Sequence, residues 1–225
     1  MKSPLFESTR ARPFQIAGAA VLLALVAGCS ALAPKGSEEP AFYSLDKVSG
    51  DAAPPRRAAA IGAAAPTLIV SPSHAASGFN SQRIIYIREA HRLEYYARSE
   101  WVDTPARMLA PQIVAALENS GRFRAVVLTP SAAAGDLRLD TEIVRLQHEL
   151  ASVPSRVRFT LRATLVDNRT RQVLAWQQFD ESVNSASENP YGAVVAANQA
   201  VQTVLDQLAN FSANSAAHWR PPADH

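Results

Sequence analysis

The chain of 225 residues is 48% hydrophobic, 19% charged and 7% aromatic, a globular balance that excludes a disordered protein and allows one domain with tails or two small domains. Its single cysteine, Cys29, excludes an internal disulfide framework and a cysteine-based zinc site within one chain. The formal charge of +2 comes from 22 basic and 20 acidic residues. The first 28 residues hold three of the former and one of the latter (Lys2, Arg10, Arg12 and Glu7), so 19 of each remain. That balance lacks the basic footprint of a nucleic-acid binder.

The N-terminus has an ordered composition. A basic leader precedes the apolar run Phe14–Val26 ("FQIAGAAVLLALV"), which gives way to the small residues Ala27 and Gly28. Basic start, short apolar middle and small-residue end describe a secretory signal over residues 1–28. The run is shorter than the roughly 20 residues a membrane span requires. "LVAGC" (Leu25–Cys29) resembles the bacterial lipobox, whose cysteine is acylated and becomes the first residue of the mature protein. That resemblance implies a thioether-linked diacylglycerol and an N-acyl chain on Cys29, and no other cofactor. A single acyl chain holds a protein only marginally, since each buried methylene contributes about 0.8 kcal/mol. In the usual sorting rule an aspartate after the acylated cysteine retains a lipoprotein in the inner membrane. Ser30 stands there and predicts the outer membrane, with the domain facing the periplasm.

Residues 29–66 read as a lipidated tether and an Ala/Pro-rich linker, interrupted by a short strand, "AFYSL", at 41–45. Phe42, Tyr43 and Leu45 are expected to dock back on a domain spanning 67–212. "TLIVSP" is a short buried strand stopped by Pro72. Arg83–Ile87 and Leu93–Tyr96 flank the polar "REAH" and predict a hairpin. Thr104 and Pro105 open a helix whose stripe is Leu109, Ile113, Ala116 and Leu117, with Gly121 past its end. Pro111 should kink that helix or delay its start. "FRAVVL" is a strand. In the next strand the apolar phase moves from Leu137, Leu139, Thr141 and Ile143 to Val144, Leu146, His148 and Leu150, which predicts a bulge near Ile143. Val157–Leu165 alternates cleanly, "DNRTR" turns, and Gln172–Val183 returns antiparallel. A helix from Pro190 to about Phe211 and a flexible tail over 213–225 end the chain. The expected fold is α/β: a mixed, largely antiparallel sheet of about five or six strands, with two helices packed on one face.

No nucleophile elbow, phosphate loop, dinucleotide fingerprint or His-Glu-x-x-His helix is present, and the five histidines are scattered. Enzymatic and metal roles are therefore not expected. The arginine stripe Arg156, Arg158 and Arg162 could meet phosphates, but reads better as a solvated face paired with Glu142, Asp180 or Glu181. Tyr86, Tyr95, Tyr96 and Trp101 form an aromatic cluster. Tyr86 and Trp101 suit core packing, and whichever of Tyr95 and Tyr96 faces outward suits an interface.

Taken in order, the lipobox at Cys29, "FYSL" (Phe42–Leu45), "LIVSP", "RIIYIREAHRLEYYARSEWVDTPARML", "VAALEN" (Val114–Asn119), "GRFRAVV" and "AVVAANQAVQTVLDQLA" resemble the auxiliary lipoprotein family of ABC-type transport systems. The Tyr86–Leu109 block is the most specific part. The resemblance implies a non-enzymatic lipoprotein beside a mammalian-cell-entry (MCE) protein and, indirectly, an inner-membrane ABC transporter. Together these would move phospholipid or other hydrophobic molecules across the envelope. The alternatives are an assembly lipoprotein of another outer-membrane complex and a periplasmic lipid-binding carrier. Arg83, Tyr86, Tyr95 and Tyr96 are the candidate partner-binding residues, because a strand edge is a ready docking site. The sequence leaves open whether the protein is a monomer or a homo-oligomer.

Overall fold

The computed structural model describes residues 39–46 and 65–220. In chain order the elements are β1 (Ala41–Tyr43), β2 (Thr67–Val70), β3 (His74–Ala75), β4 (Arg83–Ile87), β5 (Glu94–Trp101), α1 (Pro105–Asn119), β6 (Ala125–Leu128), β7 (Leu137–Glu149), β8 (Arg156–Asp167), β9 (Val173–Asn184) and α2 (Pro190–Ala217). Cys29, Ser30, the signal segment and most of the Ala/Pro-rich linker lie outside the described residues.

The long strands form the antiparallel meander β7–β8–β9. Three short strands dock in turn along the other edge of β7, all parallel to it: β2 at Leu137–Leu139, β3 at Glu142–Ile143 and β4 at His148–Glu149. β6 extends the sheet beyond β2, and β5 then β1 extend it beyond β4. Among the described residues the sheet therefore has nine strands, and five of its eight pairings are parallel. This corrects the expected five or six largely antiparallel strands. Each parallel pairing includes a strand of two to five residues, too short to show a period, and the chain reaches it by a crossover rather than a tight turn.

The predicted bulge is present: the β7–β8 register shifts between Ile143 and Arg145. It keeps Leu137, Leu139, Thr141 and Ile143 on the same side as Leu146 and His148, so β7 stays buried along its length. On β8, Val157, Phe159, Leu161, Ala163 and Leu165 point into the same core. Both helices cover this face, as expected. Leu109, Ile113 and Leu117 of α1 are fully buried, and α2 packs on β8 and β9 through Ala197, Ala200, Val201, Val204 and Leu208. The row Ile143–Leu161–Phe179 crosses three strands and ends edge-on against Phe211 of α2, with ring centroids 5.9 Å apart. Among the described residues, no helix is long and apolar enough to cross a membrane.

The two helix ends contain further corrections. α1 starts at Pro105 and continues through Pro111, which does not delay it. Thr104 occupies the N-cap without a side-chain bond, and Gly121 takes φ 63° just past the end, where a left-handed residue closes a helix. α2 runs to Ala217, beyond the expected end near Phe211, so the stretch predicted as a tail from residue 213 is helical to 217. Trp219 then docks against the core and donates its indole N–H to Asp167 Oδ2 at 2.8 Å. Burial alone would raise the Asp167 pKa. The backbone N–H groups of Thr170 (2.8 Å) and Arg169 (2.9 Å), with the indole, outweigh it and hold the carboxyl below its usual value. The turn residue Asp167 thus ties the β8–β9 hairpin to the end of α2.

The start of α2 is tightly packed. Asn189 caps it by accepting the Gly192 N–H at 2.9 Å, and a Cβ at Gly192 would overlap the Ser187 carbonyl and hydroxyl. Gly192→Ala should therefore destabilise the domain by about 1–3 kcal/mol, despite alanine's better helix propensity. A thermal melt checks this. An unchanged midpoint would mean that the 185–189 loop yields without cost.

Candidate functional site

The hairpin forms as predicted, but its register divides the four candidate residues between two faces. Arg83 lies across from Glu100, Ile85 from Tyr95, and Tyr86 from Glu94, with an irregularity between Arg83 and Ile85. Alternation then places Arg83 and Tyr95 on the sheet face away from the helices, and Tyr86 and Tyr96 on the helix side. Tyr95 is 38% exposed, and the Arg83 guanidinium carbon sits 4.8 Å from its ring centroid, within cation–π reach. Tyr95 is thus the outward member of its pair. Trp101 is buried in the core, and Tyr86 is partly buried beside Tyr96.

On the helix side the residues form a continuous polar-aromatic chain. The Tyr86 and Tyr96 ring centroids are 4.6 Å apart, and the Arg88 guanidinium carbon lies 4.9 Å from the Tyr86 ring. The Tyr86 hydroxyl donates to Glu94 Oε2 at 2.8 Å; this bond, then burial, raises the phenol's pKa. The Tyr96 hydroxyl lies 2.8 Å from His148 Nδ1, and burial pushes its pKa up to about 12. The bond is made either by the Tyr96 O–H donating to Nδ1 or by Nδ1–H donating to the phenol oxygen, and the other ring nitrogen is Nε2. That nitrogen is buried without a protein partner, beside a small cavity lined by Ile84, Trp101, Leu146, Val157, Ala193 and Ala197. Among the described residues no three His, Cys, Asp or Glu side chains are placed to hold a metal ion.

Burial lowers the His148 pKa from 6.5, against the attraction of the Glu188 carboxylate. The unfolded chain takes up this proton first, so the stability is intact above pH 6.5 and is lost as pH falls from there towards the lowered native value. Asp180 acts in a separate window. The Arg158 hydrogen bond, then Thr160, hold it at about 2, so its contribution is present above pH 3.8 and lost as pH falls through about 2. Urea midpoints measured against pH should show both slopes. His148→Gln should flatten only the upper one, and a retained upper slope would assign it elsewhere.

The outer face carries the arginine stripe, paired as the conservative reading held. Arg158 forks onto Asp180, Arg162 bonds Glu142 Oε2 at 3.1 Å, and Arg156 bonds Glu149 Oε2 at 2.8 Å. Glu149 was not among the expected partners, because the one-residue bulge brings it opposite Arg156.

Sequence reasoning did not single out Asn198 and Gln112, which clasp the N-terminal segment. Asn198 is buried on α2. Its Oδ1 accepts the Asp46 N–H at 2.8 Å, and its Nδ2 donates to Ser44 O at 3.2 Å. Gln112 Nε2 donates to Leu45 O at 2.7 Å. The legible signal was an asparagine inside an otherwise apolar helix stripe. Leu45 and Tyr43 dock as expected, but Phe42 does not: it is 60% exposed on the wall of a groove of about 840 Å³ between β1 and α2.

The architecture is that of a helix-backed open-sheet domain. The chain belongs to the ABC-type transport auxiliary lipoprotein component family, whose model matches residues 43–209. That family is a transport auxiliary component, and its lipoprotein character implies a membrane-anchored location in the cell envelope. No curated protein matches the chain. Among solved structures, protein XCC0632 from Xanthomonas campestris is 24% identical, with a TM-score of 0.62 over 68% of this chain and 86% of that one. The hypothetical protein CT253 from Chlamydia trachomatis is 10% identical, with a TM-score of 0.50 over 68% and 98%. These likenesses bear on the fold alone.

Proposed function

We propose that the mature protein is anchored through acylated Cys29 in the outer membrane, with Ser30 directing it there. It serves as a non-enzymatic subunit of an MCE/ABC-type system that moves phospholipid or another hydrophobic molecule across the envelope. The family match over residues 43–209 supports the transport role. One observation supports the docking surface: among the described residues β1 covers the edge of β5 at Ser99–Trp101 alone. Among the described residues no strand pairs with that edge at Glu94–Ala97, so it offers backbone donors and acceptors to an incoming strand. The stacked Arg83 and Tyr95 stand beside it, residue types that dominate binding energy at interfaces.

Mild crosslinking in envelopes followed by capture of the anchored protein should recover an MCE-family partner. Tyr95→Ala with Arg83→Glu should weaken that capture by roughly tenfold or more, the effect of losing about 1.4 kcal/mol or more at a hot spot. Capture without any MCE protein would overturn the reading.

A further inference from the structure

The groove between β1 and α2, of about 840 Å³, is a concave surface that the hairpin does not explain. We infer that its aromatic rim is a membrane-contacting face: Phe42 and Tyr191 seat in the interfacial region of the bilayer that holds the Cys29 anchor. The inference rests on the anchor proposed above and adds a second contact with the same membrane.

Three observations support it. Phe42 and Tyr191 are 60% and 64% exposed, and Val195, one helical turn beyond Tyr191, is 37% exposed. Exposed aromatic and aliphatic side chains on a common groove form the kind of apolar patch that marks a contact surface. Among the described residues the rim is also nearly free of charge. Asp46 is the only ionisable carboxylate among the described lining residues, and it accepts the Ser44 hydroxyl at 2.6 Å; no described lysine or arginine lines the groove. An amphipathic aromatic patch with a single described carboxylate suits the level where tyrosine and tryptophan concentrate in membrane proteins. The third observation is the tether. Ten residues, Ser30–Glu39, separate Cys29 from Pro40, where the compact unit begins, and Phe42 follows two residues later. At full extension that segment spans roughly 35–40 Å, so the β1 end of the domain cannot leave the neighbourhood of the bilayer.

The acyl chains of an anchored protein already supply its affinity for the membrane. A shallow aromatic contact beside them fixes orientation, by choosing which side of the domain faces the lipid. The exposed apolar side chains of β9 (Val173, Leu174 and Trp176) occupy a different edge of the sheet and provide the control.

Cys29 is the only cysteine, and acylation consumes its thiol, so one introduced cysteine can be labelled specifically in the full lipidated chain. Phe42→Cys, Tyr191→Cys and Trp176→Cys, all at exposed positions, would each carry an environment-sensitive fluorophore. They would be reconstituted in phosphatidylethanolamine/phosphatidylglycerol vesicles with lipid-borne quenchers. At 42 and 191 the emission should shift to the blue and lose most of its intensity to the quencher, and at 176 it should do neither. Labels at 42 and 191 that stay in water, on protein whose Cys29 is acylated by mass spectrometry, overturn this inference and leave the anchor standing. Labels that shift to the blue in vesicles but escape the lipid-borne quencher overturn it too, because a protein segment would then cover the groove. An unmodified Cys29 overturns the anchor and this inference together.

Discussion

Phe159→Ala should cost the domain about 3–5 kcal/mol, the range for deleting a buried phenylalanine. Phe159 is fully buried at the middle of β8, directly across from buried Leu146 on β7, and belongs to the cluster that both helices cover. Its loss removes the transfer energy of a large ring and leaves a cavity that cannot collapse, because strands on both sides hold its backbone in register. For a domain of this size the melting midpoint should fall by roughly 6–20 °C. Urea unfolding at neutral pH should show a lower midpoint with an unchanged slope. Phe159→Leu, which keeps most of the volume, should lose less. Equal losses for the two variants would show that shape rather than buried volume governs the site.

Cys29→Ala, expressed behind a cleavable secretory signal that needs no lipobox, should move the protein from the membrane fraction to the soluble periplasmic fraction. Each buried methylene contributes about 0.8 kcal/mol, so losing every acyl chain removes the attachment and not merely part of it. An aromatic rim of two or three exposed side chains cannot replace it. Fractionation of envelopes with immunodetection checks the result, and a variant that stays membrane-bound would assign the anchoring elsewhere. Ser30→Asp separates address from attachment. On the sorting rule it should shift the protein from the outer- to the inner-membrane band of a density gradient while leaving Cys29 acylated.

Elements with long local patterns were legible in the chain. The alternation of Val157–Leu165, the phase change at Ile143, the Arg83–Tyr96 hairpin and the Leu109–Ile113–Leu117 stripe all form where their periods place them. Five parallel pairings were not legible, because strands as short as His74–Ala75 have no period and their partners are distant in sequence. The end of α2 was missed for a related reason. "SANSAAHW" is small and polar and reads as a frayed end, yet Ser212 and Ala216 face the sheet and Trp219 is held by Asp167.

The candidate site divided along the same line. Composition and the order of basic leader, apolar run and small residues before Cys29 are properties of the chain itself, so processing, anchoring and address could be argued without coordinates. The absence of a basic footprint, once residues 1–28 are set aside, is equally a matter of counting. Which tyrosine faces outward depends on the irregularity between Arg83 and Ile85, which turns Tyr95 out and Tyr96 towards His148. The pairing of Arg156 with Glu149 depends on the β7 bulge, and the exposed aromatic groove on where Asn198 clasps residues 44–46. Local composition sets what a segment can do. Register and long-range contact decide which side chains meet, because one residue of slip turns a strand over.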